Sequence, residues 1–349
     1  MNKKKYLLLY RTLKEKIITG QYDKKLPSKR TLADRTGYSV ITVEKAYQML
    51  IDEGYLCSRE RSGYFITKPD SFPLPGEKNI VSFPPLEEPA MDKAPEFEYD
   101  LWFKTVRKVI SDRREQLLLK SPNKGCAVLR NAIAAYLLRY RGMVANPKQI
   151  IIGSGSEQLY ETVVKLLGRD KIFGIENPSY RQIEAVYTAE GVTIKKLPMA
   201  EDGISDNALS EGGFDVLHVT PFRSYPTGVT ASAAKRYQYI KWAKASHYIV
   251  EDDFNSEFFL PGNPIESLYS IDQKERVIYI NTFSKSLSPS MRMGYLILPG
   301  HLLSRYEEVL GNFSCTVPVL DQYILAEFIE SGNFERHLNR MRRKMNQTK

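Results

Sequence analysis

One lysine in this chain keeps company that suggests covalent chemistry. In the stretch NTFSKSLSPSMRMGY (residues 281–295), Lys285 lies among small hydroxylated residues, with Arg292 seven positions further on. A lysine partly withdrawn from water can act as a nucleophile and hold a carbonyl carbon as a Schiff base. The plain alternative is a solvated lysine in a loop. Three other short stretches decide between the two. Gly155 is followed by Ser156 and Glu157 at what reads as the start of a helix, where free backbone N–H groups attract an anion. NPSY presents the flat ring of Tyr180, and YIVEDDF sets three carboxylates, Glu251, Asp252 and Asp253, at the end of an apolar run.

Together these residues describe a pocket for a flat, anionic, aldehyde-bearing molecule. The N–H groups of Ser156 and Glu157, with Thr282 and Arg292, would hold a phosphate. Asp252 would pair with a protonated ring nitrogen and keep the ring an electron sink. Tyr180 would stack on the ring, and Lys285 would take the aldehyde. The cofactor with those properties is pyridoxal 5′-phosphate. For Ser156 and Glu157 a plain helix-capping role competes with phosphate contact, and for Asp252 a cap does.

The elements that must position these residues alternate. Helical stretches (VLRNAIAAYLLRYRG, EQLYETVVKLLG, SAAKRYQYIKWAKAS) are interleaved with short apolar strands (QIIIGS, KIFGIE, DVLHVT, YIVEDD, VIYINT, GYLILP). Such alternation predicts an α/β body around a mostly parallel sheet, with ligands at the carboxyl ends of the strands. The candidate residues all fall at those ends.

The first 68 residues read differently. They carry 15 Lys/Arg against 7 Asp/Glu, a net of +8, whereas the rest of the 349-residue chain is nearly neutral at +1. A basic head on a neutral body is the footprint of nucleic-acid binding, although charge alone suits a solvated basic face equally well. The pattern is more informative than the charge. Leu9, Leu13 and Ile17 form one helical stripe, Ser28 and Gly37 bracket a short second helix, and Ser39 caps a third with Val43, Ala46, Tyr47 and Leu50 on its apolar face. YLCS and GYFI then flank a basic tip as a hairpin. Three helices and a hairpin predict a winged helix-turn-helix whose third helix enters the major groove of double-stranded DNA.

Between the two parts, residues 69–100 are proline-rich, which excludes regular helix or central strand and predicts a connector. The expected domains are thus 1–68, the linker 69–100, and 101–349. Apolar content of 42% and charged content of 26% are ordinary, and no apolar run approaches the roughly 18 residues a membrane span needs. Three dispersed cysteines (Cys57, Cys126, Cys315) and four scattered histidines offer no disulfide framework or metal set, and fit a reducing, cytoplasmic setting.

The ordered motifs carry a family resemblance. LPSKRTLA…TGYSVITVEKAYQMLIDEGYL resembles the GntR-type DNA-binding domain over about residues 6–66, and ENPSY, YPTG, VEDDFNSEF and NTFSKSLSPSMRMGYLILP resemble fold-type I aminotransferases in the same order. The combination is similar to the MocR family of transcription regulators. The resemblance implies DNA contacts at Arg30, Ser39, Thr42, Arg61 and Gly63, a homodimer, pyridoxal phosphate as cofactor, and an amine or amino acid as effector. It implies a sensor more than a catalyst. The rival readings are an aminotransferase fused to a DNA-binding head, and a decayed regulator whose body serves only to dimerise.

Departures from the family are local. Val40 stands where such heads usually carry arginine; an apolar side chain can touch a thymine methyl but cannot read guanine through two hydrogen bonds. Phe254 replaces a tyrosine expected to polarise the cofactor, Arg223-Ser224 replaces a His-Gln pair, and Tyr225 takes the place of the aminotransferase asparagine. The sequence also stops within a helix that, in the family, leads to a further small domain. A C-terminally truncated body is the corresponding expectation.

Overall fold

A computed structural model describes residues 5–60, 62–67, 97–243, 246–258 and 266–347. The chain divides into two compact units, residues 1–89 and 90–349. Most of the predicted linker and its seven prolines lie outside the described residues.

In the first unit, α1 (Lys5–Ile18) buries Leu9, Leu13 and Ile17 along the expected stripe. A two-residue strand, β1 (Lys25–Leu26), precedes α2 (Lys29–Thr36). Ser28 caps α2 by accepting a hydrogen bond from the Thr31 N–H at 3.1 Å, and Gly37 ends it in the left-handed region at φ 68°. α3 (Val40–Asp52) starts at Ser39, whose hydroxyl accepts from the Thr42 N–H at 3.3 Å. Val43, Ala46, Tyr47 and Leu50 are buried, as their 3.6-residue spacing predicts. β2 (Leu56–Arg59) and β3 (Gly63–Ile66) form the predicted antiparallel hairpin. The sheet has a third member, because β1 pairs antiparallel with β3. Two residues carry no periodic signal, so this edge was not readable from the sequence.

The second unit opens with α4 (Tyr99–Arg113) and α5 (Ala127–Arg141), then alternates: β4 (Ile150–Gly153), α6 (Ser156–Leu167), β5 (Ile172–Asn177), α7 (Arg181–Ala189), β6 (Thr193–Ala200), β7 (Gly203–Ile204), α8 (Asp206–Glu211), β8 (Val216–Val219), α9 (Ala233–Trp242), β9 (Tyr248–Asp252), α10 (Leu268–Ile271), β10 (Val277–Thr282) and β11 (Gly294–Ile297). α11 (Leu303–Leu310), α12 (Val319–Glu330) and α13 (Asn333–Gln347) follow. One eight-stranded sheet runs in the order β4-β11-β10-β9-β8-β5-β6-β7. β10, β9, β8, β5 and β6 are mutually parallel, while β11 runs antiparallel to both neighbours and β7 antiparallel to β6.

Side chains alternate across this sheet and build a core on each face. Val250, Ile278 and Ile280 pack against Leu159 and Val163 of α6. Tyr279 and Tyr295, on the opposite face, pack with Ile133 of α5 and Leu325 of α12. Fully buried strands of this kind read as unbroken apolar runs, which is how VIYIN and QIII appear in the sequence. The result is a winged helix-turn-helix unit followed in the chain by an α/β body with the mostly parallel sheet the sequence predicts.

Candidate functional site: a pocket at the carboxyl edge of the sheet and the exposed start of α3

β4, β5, β9 and β10 all point their carboxyl ends at one cavity of about 970 Å³, empty volume that includes some open solvent. Its walls contain all seven residues named from the sequence: Ser156, Glu157, Tyr180, Asp252, Thr282, Lys285 and Arg292. Tyr160, Gln182, Tyr225, Phe254, Ser284 and Pro289 complete the lining.

Lys285 extends over the Phe254 ring, with Nζ 4.1 Å from its centroid, and donates to Asn255 Oδ1 at 2.9 Å. Its partner is therefore a neutral amide. Withdrawal from water lowers the ammonium pKa, and the Asp252 charge opposes that shift only in part. The net effect leaves the amine easier to deprotonate than an ordinary lysine, although Lys285 still reaches the exposed mouth of the pocket.

The three carboxylates of EDD separate because strand residues alternate. Asp252 faces the pocket. Glu251 turns to the other face and accepts the Leu268 and Tyr269 N–H groups, each at 2.8 Å. Asp253 also turns away, to the Arg141 guanidinium at 3.0 Å and the Tyr279 hydroxyl at 2.7 Å. Asp252 is 3% exposed; its Oδ2 accepts from the Tyr160 hydroxyl and lies 3.7 Å from His218 Nε2. His218 is itself fixed by the Tyr187 hydroxyl, 2.7 Å from Nδ1. Asp252 Oδ1 is buried without a hydrogen-bond partner. A buried carboxylate oxygen left unpaired is costly, so this atom calls for a donor from within the pocket.

At the other end, α6 begins after Gly155 (φ 96°) with no side-chain cap, leaving its first N–H groups to a ligand or water. A Cβ on Gly155 would lie 3.3 Å from Arg292 Nη2, so glycine keeps this corner open. Arg292 pairs with Glu157 Oε2 at 2.7 Å, and Gln182 holds the other Glu157 oxygen at 3.2 Å. The sequence reading used only the backbone of Glu157. Its carboxylate occupies Arg292, so a phosphate held there would have to compete with it for the guanidinium. Tyr180 stands at the rim, its ring 6.1 Å from that of Tyr225 and nearly perpendicular to it.

The residues present fit pyridoxal phosphate: an amine of lowered pKa, an orphaned carboxylate oxygen for a ring N–H, and a helix start with an arginine for a phosphate. Sequence reasoning missed Tyr160, His218 and Asn255. Tyr160 follows Ser156 by one helical turn, a signal that was available. The other two depend on which strands lie side by side.

In the head, Arg30 and Ser39 are exposed, and the Ser39 and Thr42 hydroxyls lie 2.8 Å apart at the start of α3. Gly63 has φ 105° and opens β3, so its role in the wing begins with backbone conformation. Arg61 lies outside the described residues. Among those residues no group of three or more His, Cys, Asp and Glu is placed to hold a metal ion. No helix among them is long and apolar enough to cross a membrane.

A winged helix-turn-helix ahead of an aminotransferase-like body defines a class, and comparison with known proteins bears on both parts. Residues 5–66 match the model for bacterial regulatory proteins of the gntR family. Over 97% of its length the chain is 34% identical to the HTH-type transcriptional regulator YdeL of Bacillus subtilis, covering 76% of that protein. It is 30% identical to the pyridoxine biosynthesis regulator PdxR of Corynebacterium glutamicum, over 91% of this chain and 71% of that one. It is also 29% identical to the probable rhizopine catabolism regulator MocR of Rhizobium meliloti, over 96% and 73%. Among solved structures, an archaeal alanine:glyoxylate aminotransferase superposes with a TM-score of 0.64 at 25% identity, over 70% of this chain. LysN of Thermus thermophilus, an α-aminoadipate aminotransferase solved with N-(5′-phosphopyridoxyl)-L-leucine, gives 0.62 at 26% over 71%. This chain spans 64% of each of those two enzymes. The chain belongs to the GntR-family HTH-type transcriptional regulators of the MocR type, DNA-binding proteins with an aminotransferase-like domain.

Proposed function

We propose that the body of this regulator binds pyridoxal 5′-phosphate at Lys285 and senses the cofactor, or an amine or amino acid condensed with it, so as to change how the head engages an operator. The observation that carries the reading is the pairing of an amide-held Lys285 with the orphaned Asp252 oxygen across one cavity. The cofactor would supply an electrophilic aldehyde and an electron-withdrawing ring. Lys285 would offer the amine, Asp252 would accept a ring N–H and keep that proton in place, and the start of α6 with Arg292 and Thr282 would hold the phosphate. Tyr180 would cover the ring. In the head, Arg30, Ser39, Thr42, Arg61 and Gly63 would meet DNA, and a homodimer would present two heads to paired half-sites. Such a switch requires the ligand to bind the two arrangements unequally.

The test is the visible spectrum of the full chain with added pyridoxal phosphate, beside Lys285→Ala, together with operator binding at each cofactor level. A band in the wild type that the variant lacks, accompanied by a change in operator affinity, is the expected result. A chromophore without any effect on DNA would leave cofactor binding but remove the sensor. No band in either protein would reduce the body to scaffold. The enzyme reading draws on the same Lys285 and Asp252, and amine transfer to a keto acid with multiple turnovers would favour it.

A further inference from the structure

The DNA-facing end of the head carries an apolar pair that neither its charge nor its core explains. The buried stripe of α3 is Val43, Ala46, Tyr47 and Leu50. At 100° per residue, Ile41 falls on the side of the helix opposite that stripe, and Val40 flanks it in the same first turn. Val40 is 42% exposed and Ile41 67%. With Leu8 they are the only large apolar side chains exposed among the described residues of the head. Both are β-branched, a poor choice for a solvated helix start on propensity alone. They sit between Ser39 and Thr42, whose hydroxyls touch, with Lys45 one turn further along the same outward face.

The first residues of a recognition helix are those that reach base edges. Neither Val40 nor Ile41 can donate or accept a hydrogen bond, so neither can read guanine or adenine. The one apolar group on the floor of the major groove is the thymine C5-methyl. We infer that Val40 and Ile41 are specificity-determining residues that pack against thymine methyl groups, so each operator half-site presents thymines, on either strand, where a polar recognition helix would select guanine. The surrounding hydroxyls and cations then set register on the phosphates, while the apolar pair supplies sequence choice. This rests on the DNA-binding role of the head. It commits the exposed pair to DNA and not to a protein surface.

The experiment begins by selecting an operator for the full-length protein from random duplexes. Each thymine is then replaced singly by deoxyuridine, which removes the methyl and leaves base pairing intact. One or two positions per half-site should lose roughly fourfold in affinity, the worth of one buried methyl-sized group. That loss should disappear in Val40→Ala or Ile41→Ala, and selection repeated with Val40→Arg should move a base towards guanine. If deoxyuridine is tolerated everywhere, or its cost is the same in the alanine variants, the proposal is overturned while DNA binding stands. If alanine substitution weakens binding without any link to a methyl group, the pair serves another contact and the proposal again fails. If no duplex is selected, the DNA-binding role and the proposal fall together. Because both residues are exposed, thermal unfolding of the alanine variants should match the wild type and exclude misfolding.

Discussion

The DNA-binding head and the pocket of the body place their candidate working groups differently. In the head Arg30, Ser39, Val40 and Ile41 are exposed, and the core of Leu9, Leu13, Tyr47 and Leu50 lies entirely behind them. In the body Lys285, Tyr180 and Arg292 are exposed at the pocket mouth, whereas Asp252 and His218 on the sheet and Tyr160 on α6 are buried, with the carboxyl groups of Glu251 and Asp253 buried beside them. Surface charges interact weakly and can be changed cheaply, whereas a buried charge holds its place only through its partners. The head can therefore vary its reading without endangering its fold. The body can change its exposed lysine in the same way, but not Asp252, whose partners Tyr160 and His218 are buried with it.

The sharpest break of that contrast is at Asp253. Its carboxylate, 4% exposed, faces Arg141 at 3.0 Å from the sheet face opposite the pocket. Asp253→Asn keeps the shape and the Tyr279 contact but leaves a buried guanidinium without its counter-charge. The expected loss is about 3–5 kcal/mol in denaturant unfolding of the body. The corresponding change in the head is in its hydrocarbon. Leu50 is fully buried, and Leu50→Ala should cost about 2–5 kcal/mol and abolish operator binding, while the cofactor band proposed at Lys285 should persist. If Leu50→Ala also erased the chromophore, the two units could not be treated separately.

Acidity should divide the units by sign. Burial pushes Glu176 in the body up to about 7 from an ordinary 4.5, against the hydrogen bonds it accepts from Ser224 and the Thr220 N–H. Between those values the folded chain keeps a proton that the unfolded chain has released, so stability falls as pH rises through this window and levels off above it. The amount for this one group is of order 3 kcal/mol. Glu257, also pushed to about 7 by burial, acts in the same direction. In the head the Lys14 ammonium, 2.6 Å away, holds Glu53 below its ordinary range, and the Tyr10 hydroxyl helps. Its contribution is present at neutral pH and is lost as pH falls through the folded value, and solvent screening keeps it small. Thermal scans of the full chain from pH 5 to pH 8 should show the body weakening upward. Glu176→Gln should flatten that slope. A body that gained stability over this range would contradict the burial argument.

The same contrast explains what could be read from the sequence. The three helices of the head were legible because each is local: a cap such as Ser28, an apolar stripe and a terminating glycine lie within a few residues. The alternating strands of the body were legible as apolar runs, and six of the seven pocket residues were legible because they end a strand or follow its carboxyl end closely, while Arg292 stands just before β11. What could not be read is what strand neighbours create. Nothing near His218 in sequence announces that β8 lies beside β9 and brings its ring to Asp252. Nor does EDD reveal that its middle carboxylate faces the pocket while its neighbours face away, until the strand is known to run to Asp252. The Glu157–Arg292 pair joins residues 135 positions apart and engages the guanidinium that the sequence reading assigned to a phosphate.

The smallest expected effect separates folding from reading within the head itself. Ser28 and Ser39 do the same work for the backbone, each accepting a hydrogen bond from the N–H three residues on, at 3.1 and 3.3 Å. Ser28→Ala and Ser39→Ala should therefore each cost about 1 kcal/mol of head stability, the usual worth of such a cap. Their effects on DNA should differ. Ser39 stands at the start of α3 beside the apolar pair, so its loss should weaken operator binding by more than the stability change accounts for. Ser28 stands at the start of α2, and its loss should act on binding only through the fold. Unfolding curves and operator titrations on the two variants suffice to compare them. Equal losses in stability with unequal losses in affinity would locate reading at the surface of α3. Equal losses in both would mean that the Ser39 hydroxyl is only a cap, and that the contrast between a readable surface and a structural interior begins one residue later, at Val40.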